Sequence, residues 1–327
     1  FDHPTARQIA SLLQPSHNAI VVSVACAPSV VAAERSDVSI DGTSALLPSM
    51  VTSLSAAWQM TACGRDAMDE VPADRWDAQV QPATRDALTL ERRRHGGFVS
   101  AAELFAHTAF GVSVAEALAM DPQQRLVLEM GYKALHAGSA DRSVLSSSLT
   151  AVCLGIASTD YAAVLAGSPA GGSVYAATGS SLSIASGRVS YVLGLHGPCA
   201  SYDTACSAAL VATHGARRSL QLGECMLSLA LGVNMMLTPA VGMSFAVAGM
   251  TSPSGRCHTF DEHADGYARG EACCAASLAR ADDAAALLAC GSAVRQDGRS
   301  ASLTAPNGLA QQGLVVASLS DAGVRAK

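Results

Sequence analysis

Residues 199–221, CASYDTACSAALVATHGARRSLQ, decide the reading of this chain. The stretch 199–203 reads as an extended segment, and 206–221 reads as a helix whose start is small and apolar. Cys206 therefore stands where an extended segment turns into a helix, followed only by Ser207, Ala208 and Ala209. The unpaired N–H groups and partial positive charge of a helix start favour a thiolate over a thiol. The thiolate is the form of cysteine that accepts acyl groups. Cys206 is thus the candidate nucleophile, while cysteines in apolar runs, such as Cys153 in AVCLGIA and Cys225 in CMLSLALGV, read as small core hydrophobes.

Working outward, residues 150–157 (TAVCLGIA) and 225–237 (CMLSLALGVNMML) are short apolar runs that predict buried strands on either side of this segment. Strand, helix and strand in that order predict a βαβ unit and a layered α/β fold. Upstream, residues 19–27 (AIVVSVACA) predict another buried strand, and 30–52 has weak periodicity and reads as irregular. Ser53–Cys63 is helix-like and ends at Gly64, and a polar turn follows at 71–77. The pattern from Ser113 predicts two helices divided at Asp121 and Pro122. Asp121 caps the second, Pro122 takes its first position, Leu126, Met130 and Leu135 share a face, and Gly138 ends it.

Residues 161–187, rich in Gly, Ala and Ser, predict a loop or a close approach of backbones. After a loop near 251–256, strands are expected at 273–279 and 286–295 and a helix from about Gln311. The domain reading is accordingly a first half, 1–250, carrying the nucleophile. The start of a second half occupies 251–327, and it is incomplete because the chain ends at Lys327 where a strand is expected next.

The bulk numbers fit this picture. The 327 residues are 50% hydrophobic and 15% charged, more than the roughly 250–300 residues one core usually holds, so two packed halves are expected. Aromatic residues make up only 4%, so the core must be built from Ala, Val, Leu, Ile, Met and Cys. The net charge of −6 has no long run of one sign, which argues against nucleic acid; Arg92, Arg93 and Arg94 read as a solvated patch. Ten cysteines spread over this length point to a reducing compartment, the cytoplasm or one such as a plastid. The chain begins with Phe1 rather than Met, which weakens any reading of localisation. Cys257, His258 and His263 do not complete a zinc set, so no metal is expected. No membrane span is expected: 19–33 lacks a basic flank beyond Arg7, and the uncharged 225–255 is interrupted by Asn234, Pro239 and glycines.

DTACSAAL (203–210) resembles the active-site motif of beta-ketoacyl synthases of the thiolase superfamily. GRDAMDEVPADRWD (64–77), AMDPQQRLVLEMGYKAL (119–135), GRCHTFDEHADGYARGE (255–271) and SAVRQDGRSASLTAPNGLAQQ (292–312) are similar, in the same order, to ketosynthase domains of modular, type I polyketide synthases. The resemblance covers residues 64–327; before that only AIVVSVACA is similar, to the family's first strand. It implies a thiolase-like fold of two related α/β halves, layered αβαβα, with the second half incomplete here. It implies a homodimer working in polyketide or fatty-acid biosynthesis with an acyl carrier protein. No cofactor is bound directly, because substrates arrive on the carrier's phosphopantetheine. Cys206 would take the acyl chain and a malonyl-type extender would condense with it, the Cys206 N–H being one oxyanion donor.

The sequence departs from the family in three places. The family's two catalytic histidines lie in an HGTGT-like motif and a later one, and neither occurs here, so another chain or segment is expected to complete the second half. His196, His214 and His258 read as structural or solvated rather than as substitutes. Ala272 follows Glu271 where the family has glycine, and Ala208 and Ala209 replace serines. Tyr202 and Asp203 read as structural, and Asp261, Asp265, Arg269 and Glu271 as a loop-stabilising charge network. The alternative function is a non-catalytic ketosynthase-like subunit for assembly or carrier-protein docking. A thiolase or chalcone-synthase-like enzyme acting on coenzyme A fits the PQQR, ADGYARGE and TAPNG segments less well.

Overall fold

The structure, a computed structural model, describes residues 37–76, 86–283 and 285–324. The strand expected at 19–27 lies outside them. The elements that position the site are strands β1 (Val38–Leu46), β2 (Asp69–Glu70), β3 (His95–Gly96), β4 (Thr150–Gly155), β5 (Cys199–Tyr202), β6 (Leu227–Asn234) and β7 (Ala272–Arg280). The main helices are α1 (Leu54–Ala62), α2 (Val114–Ala119), α3 (Pro122–Ala137), α4 (Asp160–Ala166), α5 (Leu182–Leu193), α6 (Ala208–Gln221), α7 (Pro239–Val247) and α8 (Gly308–Asp321).

Five strands form one mixed sheet in the order β1-β7-β6-β4-β5. β4 pairs in parallel with β5 on one side and β6 on the other, while β7 runs antiparallel to both β6 and β1. Every residue of β4 is buried, as the centre of a parallel arrangement covered on both faces requires. Alternation along the strands sorts two cores. Val152, Leu154, Leu229, Leu231, Cys273 and Ala275 pack with residues of α3 and α5 on one face. Ala151, Cys153, Ala230 and Leu278 pack with Ala212, Ala216 and Leu220 of α6 on the other. The 250/251 boundary of the sequence reading falls between β6 and β7, which are hydrogen-bonded neighbours in this sheet.

Local signals placed most helices correctly. Ser53 caps α1 by accepting from Ala56 N (3.1 Å). Asp121 caps α3 by accepting from Gln123 N (2.8 Å), Pro122 holds the first helical position, and Leu126, Met130 and Leu135 are buried. Burial pushes the Asp121 carboxyl up to about 6, against the lowering effect of its bonds with Gln123 and of nearby Arg125. Gln124 explains why the PQQR stretch carries a long polar side chain inside: its Nε2 donates to Thr178 O and Ser181 O, and its Oε1 accepts from Arg188 Nε. The small-residue stretch 161–187 is largely helical, holding most of α4, a 3-10 turn at Pro169–Gly172, a short helix at Ala176–Gly179 and the first half of α5, and backbones do approach closely there, since a Cβ on Gly179 would collide with Ala119 O.

Two expectations are corrected. Residues 30–52 contain β1, which was masked by small polar residues and by a bulge between Ile40 and Gly42 that breaks the alternation. Gly42 sits against the end of α3, where a Cβ would meet Ala134 O at 2.2 Å. Conversely, 286–295 is not a strand. It runs beside β1 with a single bridge, Ser39 to Leu288, and the next carbonyls, of Ala289 and Cys290, are taken by the Arg217 guanidinium instead of a ladder.

α8 is fastened through Asp321. Its carboxylate accepts from Arg217 (2.5 Å), Arg218 (2.9 Å) and Ser292 N (3.0 Å). Burial pushes this carboxyl up, but Ser292 N, Arg218 and Arg217 outweigh that and hold it at about 2, below its ordinary 3.8. A carboxylate depressed in the folded state contributes stability that is complete above its unfolded value and lost as pH falls through its folded value. Asp321→Asn is therefore expected to lower the melting temperature at pH 7. The gap between wild type and variant should close between about pH 4 and pH 2. A gap unchanged at pH 2 would show that packing, not charge, fastens α8.

Candidate active site

The parallel strands β4, β5 and β6 end along one edge of the sheet, and β4 lies between the two strands that follow it in sequence. The strand order thus reverses at β4, and the crevice outside the carboxyl ends at such a reversal is the place where α/β sheets bind ligands. Cys206 stands there. β5 ends at Tyr202, a tight turn follows, and residues Ala205–Ser207 form one 3-10 turn that runs into α6.

The turn is held by its own side chains. Asp203 Oδ1 accepts from Ala205 N (3.1 Å), and Ser207 Oγ donates to Thr204 O (2.9 Å) and lies 2.8 Å from Thr204 Oγ1. Between these ties Ala205 has φ of 53°, a left-handed conformation that costs a residue with a Cβ roughly 1 kcal/mol or more. The strain lifts Cys206 out of the run of β5, and its side chain is exposed. Asp203 thus has the structural role read from the sequence. Tyr202 points away from the crevice: its hydroxyl bonds with the Cys153 thiol between sheet and α6, and burial pushes the two up to about 12 and about 11.

The loop before β7 carries Tyr267, whose phenol is pushed up by burial while Arg269 opposes the rise. Tyr267 also packs against Phe245 of α7, and the Arg269 guanidinium lies over the same ring at 5.4 Å.

Glu271 fixes that loop to the sheet. It is 1% exposed, and its carboxylate accepts from Val99 N (2.9 Å), Met236 N (2.9 Å) and Arg75 (3.0 Å). Three otherwise separate segments meet on one buried charge, whose partner and hydrogen bonds make its burial tolerable. Asp160 does similar work nearby, accepting from Leu237 N and Thr238 N at 3.1 Å each. The four charges expected to form one network instead find separate partners: Asp265 faces His258 (3.5 Å), Asp261 accepts from His263 N (2.8 Å), and Arg269 lies over Phe245. Ala272 opens β7 opposite Asn234 without a positive φ, so alanine is accommodated there. His214 bonds with Ser292 Oγ (2.8 Å), and the His196 N–H bonds with Ser148 O.

A mixed sheet flanked by helices, with a strained turn at the carboxyl edge of its parallel strands, has the thiolase-like ketosynthase fold. The chain belongs to the beta-ketoacyl synthase family, whose N-terminal domain model matches residues 35–284. It is 41% identical to mycoketide-CoA synthase of Mycobacterium tuberculosis, over 100% of this chain and 8% of that protein. It is 43% identical to one of the phenolphthiocerol/phthiocerol polyketide synthase subunits of Mycobacterium tuberculosis, over 84% of this chain and 18% of the relative. Among solved structures it is similar to the ketosynthase from module 6 of the bacillaene synthase of Bacillus subtilis 168, with a TM-score of 0.79 and 33% identity, covering 88% of this chain and 49% of that one. The Streptomyces albus oxazolomycin ketosynthase domain gives a TM-score of 0.79 at 31% identity, covering 88% and 52%. The chain thus spans about half the length of the ketosynthase structures it matches. Among the described residues no helix is long and apolar enough to cross a membrane.

Exposure and burial rank the thiols. Cys153 and Cys225 are buried with thiols pushed up by burial, and Cys273 more so. Cys63, Cys199, Cys257, Cys274 and Cys290 are exposed like Cys206 but do not stand at the start of a long helix. Iodoacetamide at pH 7 is expected to modify Cys206 several-fold faster than these five. Peptide mapping that finds Cys206 no faster than Cys290 would remove the role given to the helix start.

Proposed function

We propose that this chain carries the acyl-accepting half of a polyketide-type ketosynthase, with Cys206 as its nucleophile. The observation that carries the reading is the placement of an exposed Cys206 on a strained turn, ahead of α6 and at the carboxyl edge of the sheet. In the first step Cys206 Sγ attacks the carbonyl of an acyl thioester on carrier-protein phosphopantetheine. The new bond is to Cys206, the carbon–sulfur bond to phosphopantetheine breaks, and the carrier thiol leaves with a proton. The Cys206 N–H, at the start of the helix, is one donor for the oxyanion of that step. In the second step a malonyl-type extender on a carrier protein loses carbon dioxide and its carbanion attacks the Cys206 thioester, releasing the thiolate.

The second step also calls for imidazole donors, and the 327 residues contain no HGTGT-like stretch. We place those groups in another segment or chain that completes the second half. The division into a first half, 1–250, and the beginning of a second, 251–327, belongs to the same proposal. The seat of β7 inside the first sheet and the family match running to residue 284 favour a boundary on the far side of β7. A homodimer and an acyl carrier protein are the proposed partners. The relatives named are bacterial, which supports a cytoplasmic setting and gives none to a plastid.

The test separates the two steps. Incubation with an acyl thioester donor is expected to add one acyl group at Cys206 by intact-protein mass spectrometry, and Cys206→Ala should abolish it. Adding malonyl carrier protein should then yield little β-ketoacyl product, since general acid–base groups of the missing type commonly contribute about 10²–10⁴ in rate. Efficient condensation by these residues alone would place the imidazole function on a histidine present here. No acylation at all would favour the assembly or docking role.

A further inference from the structure

The first turn of α6 rests on two glycines that are neighbours across the sheet. Gly155 ends β4, Gly232 lies in β6, and the two are register partners. A Cβ on Gly155 would stand 2.4 Å from Ala209 N, 2.5 Å from Ala208 C and 2.6 Å from Ala209 Cα, all backbone atoms. A Cβ on Gly232 would stand 2.7 Å from the Ala209 Cβ, with Ala209 Cα next at 3.7 Å. Neither glycine has a positive φ, so space and not backbone conformation demands glycine at both.

We propose that Gly155 and Gly232 are positioning residues for Cys206. They set how deeply the first turn of α6 meets the sheet, and hence where the N–H groups of that turn stand relative to the sulfur. The proposal rests on the reading of Cys206 as the acyl acceptor. Ala209 is three residues from Cys206, so a shift of its backbone is transmitted directly through the turn held by Thr204 and Ser207. A displacement of about 1 Å at a reacting group can cost up to about 100-fold in rate.

The two glycines act on different atoms of Ala209, and this yields the test. Gly232→Ala is expected to slow both iodoacetamide alkylation and thioester acylation of Cys206 by about tenfold or more. Gly232→Ala combined with Ala209→Gly should return both rates to near those of Ala209→Gly alone, because the remaining contact is an ordinary 3.7 Å. Gly155→Ala should not be rescued by Ala209→Gly, because the obstructing atoms are backbone.

The buried Cys153 and Cys225 serve as internal controls in the same maps. General loosening of the fold raises their labelling, whereas a local displacement lowers labelling at Cys206 and leaves them slow. Should Gly232→Ala fail to fold, the double variant still decides. A rate near that of Ala209→Gly supports the proposal, and a lost rate overturns it. Wild-type labelling of Cys206 by Gly232→Ala, or rescue of Gly155→Ala, would also overturn it. If wild-type Cys206 is alkylated but never acylated by a thioester, the functional reading fails instead, and the rescue pattern in alkylation still judges the positioning.

Discussion

A helix can meet a sheet closely only where side chains do not intervene, and the contact between α6 and the strands β4 and β6 is of that kind. Ala208 and Ala209 lie on Gly155 and Gly232 with less room than one methyl group requires. Further along, Ala212 and Ala216 continue the same shallow packing, and Leu220 closes it. The small-residue composition of this face is what lets the start of α6 reach the edge of the sheet. A leucine at any of these glycines or alanines would lift the helix and carry Cys206 with it.

The strain at Ala205 becomes intelligible against that seat. A non-glycine residue with positive φ persists only where its surroundings over-determine it. Here β5 is fixed by its parallel pairing with β4, α6 is fixed by the glycine seat, and five residues must join them. The bonds from Asp203 and Ser207 close the remaining freedom. The exposure of the thiol is therefore a consequence of two rigid elements and a short connection.

Around this turn the polar interior serves alignment. Glu271 collects Arg75, Val99 N and Met236 N, Gln124 collects Arg188 and two carbonyls, and Asp321 collects Arg217, Arg218 and Ser292 N. Each joins segments remote in sequence, and at the buried Glu271 and Gln124 a charge or amide without partners would cost several kcal/mol. The loop before β7 is pinned by Glu271 at its end and carries Tyr267 against Phe245 of α7.

Whatever is written in local periodicity was legible in the sequence. The all-apolar runs of β4 and β6, the Asp121–Pro122 start of α3 and the extended-to-helix switch at Cys206 are each set by neighbours within a few residues, so the α/β class and the turn that carries Cys206 could be read directly. β1 escaped because a bulge and small polar side chains erase alternation, and because antiparallel pairing with β7, more than 220 residues away, is what makes it a strand. Residues 286–295 have the composition of a strand, yet the Arg217 guanidinium takes the carbonyls that a ladder would need. The buried meeting point at Glu271 and the pairing of Gly155 with Gly232 are long-range contacts, and no local pattern encodes them. Chain neighbours dictate what a segment becomes, whereas the distance between a thiol and the groups around it is set only when separate segments pack.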